Sequence, residues 1–441
     1  MTNIKHILFI LILLGSVTTA YSEVICDSTN SKEKESVDSL KGTFTFGGYG
    51  EVTLSRHFYS SAWQRYSMPT LYKNSKGYGR ADMPHLVFMI GYNFGKGWSF
   101  GSEIELEHGG VGASIEIEEE ETGEYESEVE KGGEIILEQF WINKSWNRAI
   151  NLKMGHIVVP VGMTNQYHLP NQYFGVFRPE GDATILPCAW HETGLSFWGE
   201  DNGWDYEVMV VTGLDADRFS PKNWIGSGSG TPYEFKIASN YAGAFRVGFN
   251  RIKHLSLDIS GYCGTSAKNT LNDYGYGKLN GLVSIGSFDF RYITKDLILR
   301  GGVTYGHLGD SYDITIGNAG ATNNSPTPGK AAVASDAISS SMELGYNFFG
   351  LSRNLTENDQ KFYLFARAEY YNSMLNTAAG VPLYKYQEKI NYSIGCNYSP
   401  LDELMIKAEY QYRDLVDPQY NDEPTISIGI TWTGLFINKK I

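Results

Sequence analysis

The fold is decided by the stretch at residues 390–432, which reads INYSIGCNYSPLDELMIKAEYQYRDLVDPQYNDEPTISIGITW. Apolar and polar residues alternate through three successive segments of it, and two residues is the period of a β-strand. Ile390, Tyr392 and Ile394 share one face of the first segment, and the polar residues between them share the other. Each strand therefore has two faces that prefer different solvents.

The same alternation extends outward from this stretch, from about Thr43 to Phe436, in segments of roughly ten residues. Short connections take turns with long ones, which lie near residues 59–81, 110–132, 161–190, 309–335 and 373–386. A soluble β-sandwich also alternates, but short turns on one side and long loops on the other are typical of a transmembrane barrel. We therefore predict an all-β, antiparallel transmembrane β-barrel of sixteen strands, one of them at 234–250, with fourteen or eighteen strands as alternatives.

Composition excludes several other classes of protein. Lys and Arg total 36 against 50 Asp and Glu, a net charge of −14, so nucleic acid is not an expected partner. No apolar run reaches the roughly twenty residues of a membrane-spanning helix. The chain is rich in aromatic residues, with 30 Tyr, 22 Phe and 9 Trp, and many of them stand at the ends of the predicted strands. Rings at both ends of the strands are typical of an interfacial girdle.

The N-terminus has the pattern of a cleaved signal peptide. Lys5 and His6 precede the short apolar run 7–14, and the small residues Thr18 and Ala20 follow. We expect a signal peptide at 1–20, a flexible periplasmic leader at 21–42 and an outer-membrane β-barrel at 43–441, with a retained anchor as the alternative reading of the first segment.

A barrel of sixteen strands is too wide for side chains to fill, so it leaves an aqueous channel. We assign the polar face of each strand to the lumen. The acidic residues assigned to it are Glu51, Glu103, Glu105, Glu107, Glu138, Asp205 and Glu207; the basic ones are Lys153, Arg246, Arg291, Arg300, Arg367, Lys407 and Arg413. These charges either face each other across the pore, which would produce a transverse field, or pair along and between neighbouring strands.

Two long connections stand out. Residues 161–190 are aromatic and poor in charge, so we expect them to fold into the pore as a constriction, with packing over the rim or against a sister subunit as the alternative. The residues assigned to this constriction are Tyr167, His168, Tyr173, Phe174, Arg178 and Glu180. Residues 110–132 contain nine glutamates between 116 and 130 and predict a solvated external loop; calcium bridging at Glu118, Glu120 and Glu124 is a weaker hypothesis.

Motifs for catalysis or cofactor binding are missing from the sequence. It has no H-E-x-x-H, P-loop or G-x-S-x-G pattern, and its four cysteines are isolated. His156, His168 and His191 lie near acidic residues in the sequence, but nine histidines in a chain of this length make such proximity common. We expect neither an enzyme nor a cofactor, nor a metal site beyond the calcium hypothesis above.

Several stretches resemble the phosphate-selective porin O/P family, in the variant common among Bacteroides-type bacteria. They are GSEIELEH at 101–108, LEQFWI at 137–142, GHIVVPVG at 155–162, PEG at 179–181, HETGL at 191–195 and TGLDA at 212–216. The resemblance implies a sixteen-stranded porin whose third external loop folds inward. It also implies a homotrimer, seated in outer-membrane lipid and lipopolysaccharide.

One departure from that family bears on selectivity. Its phosphate-selective members resemble one another in a lysine cluster on the constriction loop, whereas residues 161–190 hold Arg178 and no lysine. We therefore expect a channel for passive diffusion of small hydrophilic solutes and ions. An anion or phosphate channel with a saturable site on the basic wall is one alternative, and a non-conducting surface platform or adhesin is another.

Overall fold

A computed structural model describes residues 41–108, 113–119, 125–131, 135–230, 236–269, 279–322, 332–352, 355 and 360–440. The signal peptide and almost all of the leader predicted from the sequence lie outside these residues. The strands are β1 (Thr43–His57), β2 (Tyr78–Asp82), β3 (His85–Gly95), β4 (Trp98–Glu107), β5 (Ala113–Glu119), β6 (Tyr125–Lys131), β7 (Ile135–Ser145), β8 (Asn151–Val158), β9 (His191–Asp201), β10 (Trp204–Thr212), β11 (Tyr241–Ile252), β12 (Leu255–Thr265), β13 (Leu282–Ile293), β14 (Leu297–Leu308), β15 (Asp336–Asn347), β16 (Lys361–Asn376), β17 (Glu388–Leu401), β18 (Leu404–Asp414) and β19 (Glu423–Lys440).

Helical segments are short and lie in the connections. They are α1 (Pro69–Tyr72), α2 (Met163–Gln166), α3 (Glu180–Ile185) and α4 (Ser311–Thr322), with 3₁₀ turns at Trp63–Arg65, Pro170–Gln172, Ala216–Arg218, Phe348–Leu351 and Lys385–Gln387. Within the described part of the chain, no helix is both long and apolar enough to cross a membrane.

The strands close into one antiparallel barrel. β1 pairs with β19 along its full length, from Thr43 opposite Lys440 to His57 opposite Thr425. β2 and β3 both pair with β1 and are separated only by Met83 and Pro84, so together they form one barrel strand. Proline has no N–H to offer the ladder, which explains the interruption. The barrel therefore has sixteen strands, and the prediction of a sixteen-stranded antiparallel barrel is confirmed.

Turn chemistry sets the short connections at one end of the barrel. Lys96 and Gly97 between β3 and β4 have φ of 52° and 77°, and Asn202 and Gly203 between β9 and β10 have the same pair of values. Two successive residues at positive φ match the right-handed twist of the flanking strands. The connections at the other end are longer and include residues 159–190 and 213–240.

The strand predicted at 234–250 starts later than expected. β11 begins at Tyr241 and runs to Ile252, and residues 236–240 precede it without strand pairing. They belong instead to the long connection from β10, where Lys236 reaches into the barrel to bind Glu192.

The barrel is apolar outside and polar inside. On β19, Ile426, Ile428 and Ile430 are 46–52% exposed on the outer face, whereas Thr425 and Ser427 on the inner face are each 3% exposed. The alternation predicted from the sequence therefore describes two environments, an outer surface suited to hydrocarbon and an inner surface suited to water.

An apolar core lies inside the barrel, at the end where the long connections gather. It joins the inner faces of β8 and β10–β15 to side chains from several connections, among them Ile185, Trp190, Phe219, Trp224 and Ile314. Trp224 is completely buried, and its indole N–H donates to the carbonyl of Ala334 at 3.1 Å. These connections thus fill part of the barrel's mouth.

Candidate functional site in the barrel lumen

The connection from β8 to β9, residues 159–190, lies inside the barrel. Its base is closed by the backbone bond from Val159 N–H to the Trp190 carbonyl at 2.7 Å. The backbone N–H of Gly162 donates to the Ser260 hydroxyl on β12 at 3.1 Å. From there the segment, called the inner loop below, crosses to β15, β16 and β19.

Lys407 on β18 holds the inner loop from the wall. Its ammonium group donates to the carbonyl oxygens of Pro170, Tyr173 and Gly175, the last two at 2.9 and 2.8 Å, and lies 4.1 Å from the centre of the Tyr173 ring. Lys407 is only 1% exposed. One wall cation therefore satisfies three backbone carbonyl groups of the inner loop.

Carboxylates of the same wall accept hydrogen bonds from the inner loop's backbone. Glu343 accepts from the N–H of Phe174 at 3.4 Å, Glu409 from Val176 at 2.9 Å and Glu369 from Gly181 at 3.2 Å. These three carboxylates also bind Arg367, whose guanidinium lies 3.3, 2.9 and 3.1 Å from them. The charges thus form one buried network that is shared between wall and loop.

The ring of Phe174 packs against aromatic side chains of the wall. It packs against Tyr363 and Phe365 of β16 with ring centres 5.2 and 5.6 Å apart, and Ile298 closes the cluster. Gly345 faces this ring, and a Cβ there would lie 2.2 Å from it. The small residue on β15 therefore makes room for the loop's aromatic anchor.

A second ionic group joins the inner loop to the mouth. Glu180 at the start of α3 accepts from Arg413 at 3.1 Å, and Arg413 also binds Glu423 on β19 at 2.5 Å. Arg65, from the connection after β1, reaches the same Glu423 at 2.7 Å. Two arginines and two glutamates thus link two connections to the strands β18 and β19.

The other predicted basic residues also have partners in the lumen. Arg246 binds Asp205 at 2.5 Å and Asp258 at 2.8 Å. Arg300 donates from Nε to Glu343 at 2.7 Å. The guanidinium of Arg291 stacks over the ring of Tyr167, with 3.4 Å between its central carbon and the ring centre.

This pairing decides between the two alternatives from the sequence for Arg246 and Asp205, which were to face each other across the pore or to pair between strands. β10 and β11 are neighbours in the sheet, and Glu207 stands directly opposite Arg246 in their register. Of the two alternatives, local pairing describes this part of the lumen.

The acidic residues on β1, β4 and β7 form a separate cluster with His85 of β3. Glu51, Glu103, Glu105 and Glu138 are each at most 7% exposed. His85 lies opposite Glu107 in the β3–β4 register, and its Nδ1 contacts the Glu105 carboxylate. We call Glu51, His85, Glu103, Glu105, Glu107 and Glu138 the acidic cluster.

Three cations stand close to the acidic cluster, and one of them is Lys407, which interacts with Glu51. Arg178 of the inner loop interacts electrostatically with Glu105 and Glu138, and its Nη1 donates to the Cys188 thiol at 2.9 Å. Lys153 on β8 interacts with Glu103, while its ammonium group lies 5.3 Å from the centre of the Trp141 ring. The inner loop thus presents its arginine to the acidic side of the lumen.

His168 belongs to the same part of the inner loop. Its Nδ1 lies 3.1 Å from the carbonyl oxygen of Asn165. Burial, reinforced by the charge of Arg178, lowers the pKa of His168 to about 4. The imidazole is therefore neutral at physiological pH.

His156 and His191, two of the histidines that lie near acidic residues in the sequence, are neighbours in the structure. The rings of His156 and His191 lie 4.6 Å apart. The neighbouring Glu192 is bound by Lys236, by the Thr212 hydroxyl at 2.6 Å and by the Trp190 indole at 3.3 Å. Its carboxylate is therefore already engaged by three donors.

The connection predicted as an acidic external loop contains a β-hairpin. β5 and β6 pair with each other from Ala113 opposite Lys131 to Glu119 opposite Tyr125, and β4 pairs directly with β7. The calcium hypothesis for this loop lies outside the described residues, since Glu120 and Glu124 are not among them and the side chain of Glu118 is not described.

Some residues of the lumen were missed by the sequence interpretation. Tyr49, Glu423 and His85 were not singled out, and Lys407 was assigned to the basic wall and not to loop anchoring. The alternation could have placed Glu423, which is two residues before Thr425 on the same face of β19. No local signal marks Lys407 as an anchor, because its partners lie more than 230 positions earlier in the chain.

Comparisons with known proteins agree on the fold. No family model matches the chain. A protein of Aquifex aeolicus described only as uncharacterized is 24% identical over 401 residues, which is 90% of this chain and 81% of that protein. OmpF of Salmonella typhi, solved in complex with daunomycin, superposes with a TM-score of 0.53 at 10% identity over 89% of this chain and 98% of that one. The outer membrane channel DcaP of Acinetobacter baumannii gives a TM-score of 0.50 at 9% identity over 89% and 97%.

Proposed function

We propose that this protein is an outer-membrane porin, a water-filled channel for passive diffusion of small hydrophilic solutes and ions. The observation that carries the proposal is the inversion of the barrel, with charged and polar side chains inside and apolar side chains outside. Sixteen strands enclose more space than their own side chains fill, and the inner loop narrows that space from one wall.

The fold of OmpF and of the channel DcaP supports this proposal at the level of architecture. The resemblance to the phosphate-selective porin O/P family remains an expectation. Phosphate selectivity gains no support from the basic wall, because Arg246, Arg300, Arg367 and Arg413 are bound by carboxylates. We propose a homotrimer on the ground of that resemblance, and cross-linking of the detergent-solubilised protein tests it.

Planar bilayers test the channel directly. The purified full chain, shown to be folded by its heat-dependent shift on gels, is added to the bilayer in 1 M KCl. We expect stepwise current increments of uniform size, and swelling of liposomes in small sugars but not in large dextrans. A folded, inserted barrel without conductance would refute the porin and favour the surface platform. A current that saturates with phosphate would favour the anion channel.

A further inference from the structure

We propose that the acidic cluster is a binding site for a divalent transition-metal ion such as Zn²⁺, with His85, Glu105 and Glu107 as its principal ligands. The ligand atoms of these three residues all lie within 4.8 Å of one another. Each of them can therefore reach a single ion placed between them with modest movement of the side chains. The site lies in the lumen. Binding of a metal ion there is a property beyond the proposed diffusion of solutes.

The strand register builds the site. His85 and Glu107 are direct partners across β3 and β4, and Glu105 lies two residues before Glu107 on the same face of β4. On the other side of His85, the pairing of Gly50 with Leu86 brings Glu51 alongside, with its Oε1 3.6 Å from the Nε2 of His85. Three neighbouring strands thus present an imidazole between carboxylates.

Unsatisfied oxygens supply an independent argument for a cation. Oε2 of Glu51 and Oε2 of Glu138 are buried and have no hydrogen-bond partner in the described part of the chain, and these residues are only 5% and 3% exposed. A buried carboxylate oxygen without a donor is costly, and such atoms in a native site commonly mark an ion or a water. Both carboxylates border the three principal ligands.

The spacing of the carboxylates leads to the same conclusion. Glu105 and Glu138 lie within hydrogen-bonding distance of each other. Two carboxylates at that distance repel each other unless a proton or a cation lies between them. Five glutamates gather here, whereas the cations that interact with them in the described part of the chain are Arg178, Lys153 and, through Glu51, Lys407. A divalent ion would offset the excess of negative charge.

The donor set indicates which ion would bind. Calcium and magnesium prefer ligand shells made of oxygen alone, whereas an imidazole nitrogen combined with carboxylates suits Zn²⁺ and its first-row neighbours. With one ring nitrogen of His85 on the metal, the other can donate to an adjacent carboxylate, an arrangement that orients metal-bound histidines. An ion held there would stand near Arg178 of the inner loop, which interacts with Glu105 and Glu138.

Zinc itself is the probe, and binding is measured on the folded, tag-free protein in detergent after treatment with EDTA. Isothermal titration with ZnCl₂ should show a site whose affinity falls at least tenfold in His85→Gln and in Glu107→Gln. The matched control is Glu207→Gln, a lumen carboxylate on β10 that accepts from the Ser196 hydroxyl and lies outside the cluster. Its zinc affinity should equal that of the unaltered protein.

Equal zinc affinity in all four proteins would overturn the site, and so would Ca²⁺ or Mg²⁺ binding as tightly as Zn²⁺, which would indicate charge attraction without ligation. Glu107→Gln keeps the test open if His85→Gln fails to fold, because Glu107 is only partly buried. The titration does not require conductance, so it separates this proposal from the porin proposal. If the barrel conducts, micromolar Zn²⁺ should also reduce its current, and less so in His85→Gln.

Discussion

At the scale of single residues, the role of a charged side chain in the lumen depends more on the groups it binds than on its own charge. Arg367 is only 3% exposed, yet three carboxylates surround its guanidinium. Replacing one member of such a group leaves the other charges buried without a partner. The resulting desolvation penalty is larger than the free energy that the ion pair itself contributes to stability. Buried charges of this kind position the inner loop and are not free to attract passing ions.

His168 makes the inner loop sensitive to acid. Its pKa in the folded protein, about 4, lies below the usual value near 6.5, so the unfolded chain binds the proton more readily. The contribution of the neutral imidazole is therefore present above pH 6.5 and is lost as the pH falls from about 6.5 to about 4. We expect roughly 3 kcal/mol of loop stability to disappear in that window.

The measurement is proteolytic protection of the inner loop between pH 7 and pH 4. Protection should fall with acid in the unaltered protein and should change less in His168→Gln, which cannot gain the proton. His307→Gln is the control, since this histidine is half-exposed beside Asp336, away from the loop. An identical acid response in His168→Gln would assign the effect to the carboxylates.

At the scale of elements, the inner loop behaves as a lining of one wall. Its path is fixed by backbone contacts to β12, β15, β16 and β18 and by the ring of Phe174. The β5–β6 hairpin has the opposite character. It forms a sheet of its own, and β4 pairs with β7 without it, so the barrel wall closes independently of the hairpin.

Lys407 is the residue through which the wall holds this element. Lys407→Met keeps most of the volume but removes the donor to three buried carbonyl groups, and each unsatisfied group costs about 1–3 kcal/mol. The inner loop should leave the wall more often, while the barrel strands stay paired. Single-channel records should then show excess noise and a second current level.

The control for this substitution is Lys361→Met. Lys361 is also a lysine, but it binds Asp402 at the exposed turn end of the barrel, where each of the two side chains is 41% exposed. Its channel records should match those of the unaltered protein. Quiet, unchanged currents in Lys407→Met would mean that Phe174 and the Glu180–Arg413 pair hold the loop by themselves.

At the scale of the whole molecule, the barrel could be predicted from the sequence, but the contacts of the loops and side chains inside it could not. Alternation such as Ile426, Ser427 and Ile428 gives the face of each residue, because lipid and water select different side chains on the two faces. Strand number follows from counting such segments. The bonding partners of each residue do not follow, because residues such as Lys407 and Gly175 are 232 positions apart in the chain and yet are in contact in the barrel.

The packing at the mouth of the barrel could not be predicted from the sequence either. The apolar core around Trp224 is assembled from several long connections, and their residues carry no two-residue period that would place them on either face. Trp224 itself binds a carbonyl of Ala334, more than a hundred positions later. Face assignment is thus a local property of the sequence, whereas loop packing depends on contacts between distant segments.

The distribution of charge over the lumen predicts its selectivity. The arginines on β11, β14, β16 and β18 are bound by carboxylates, whereas the acidic cluster holds five glutamates against Arg178, Lys153 and Lys407 near them. A lumen lined by an excess of one charge concentrates the opposite ion. We therefore expect the channel to prefer cations, with a reversal potential in a tenfold KCl gradient that reflects K⁺ over Cl⁻.

The test removes charge from the acidic cluster at constant size. In EDTA, so that no divalent ion compensates, the partly buried Glu107 is replaced, and Glu107→Gln should shift the reversal potential toward that of an unselective pore. Asp402→Asn removes a carboxylate at the exposed turn end of the barrel and should leave the potential unchanged. A preference for anions in the unaltered channel would contradict this electrostatic account, because the remaining arginines would then act as if unpaired. Arg291, which stacks on Tyr167, would be the first of them to replace.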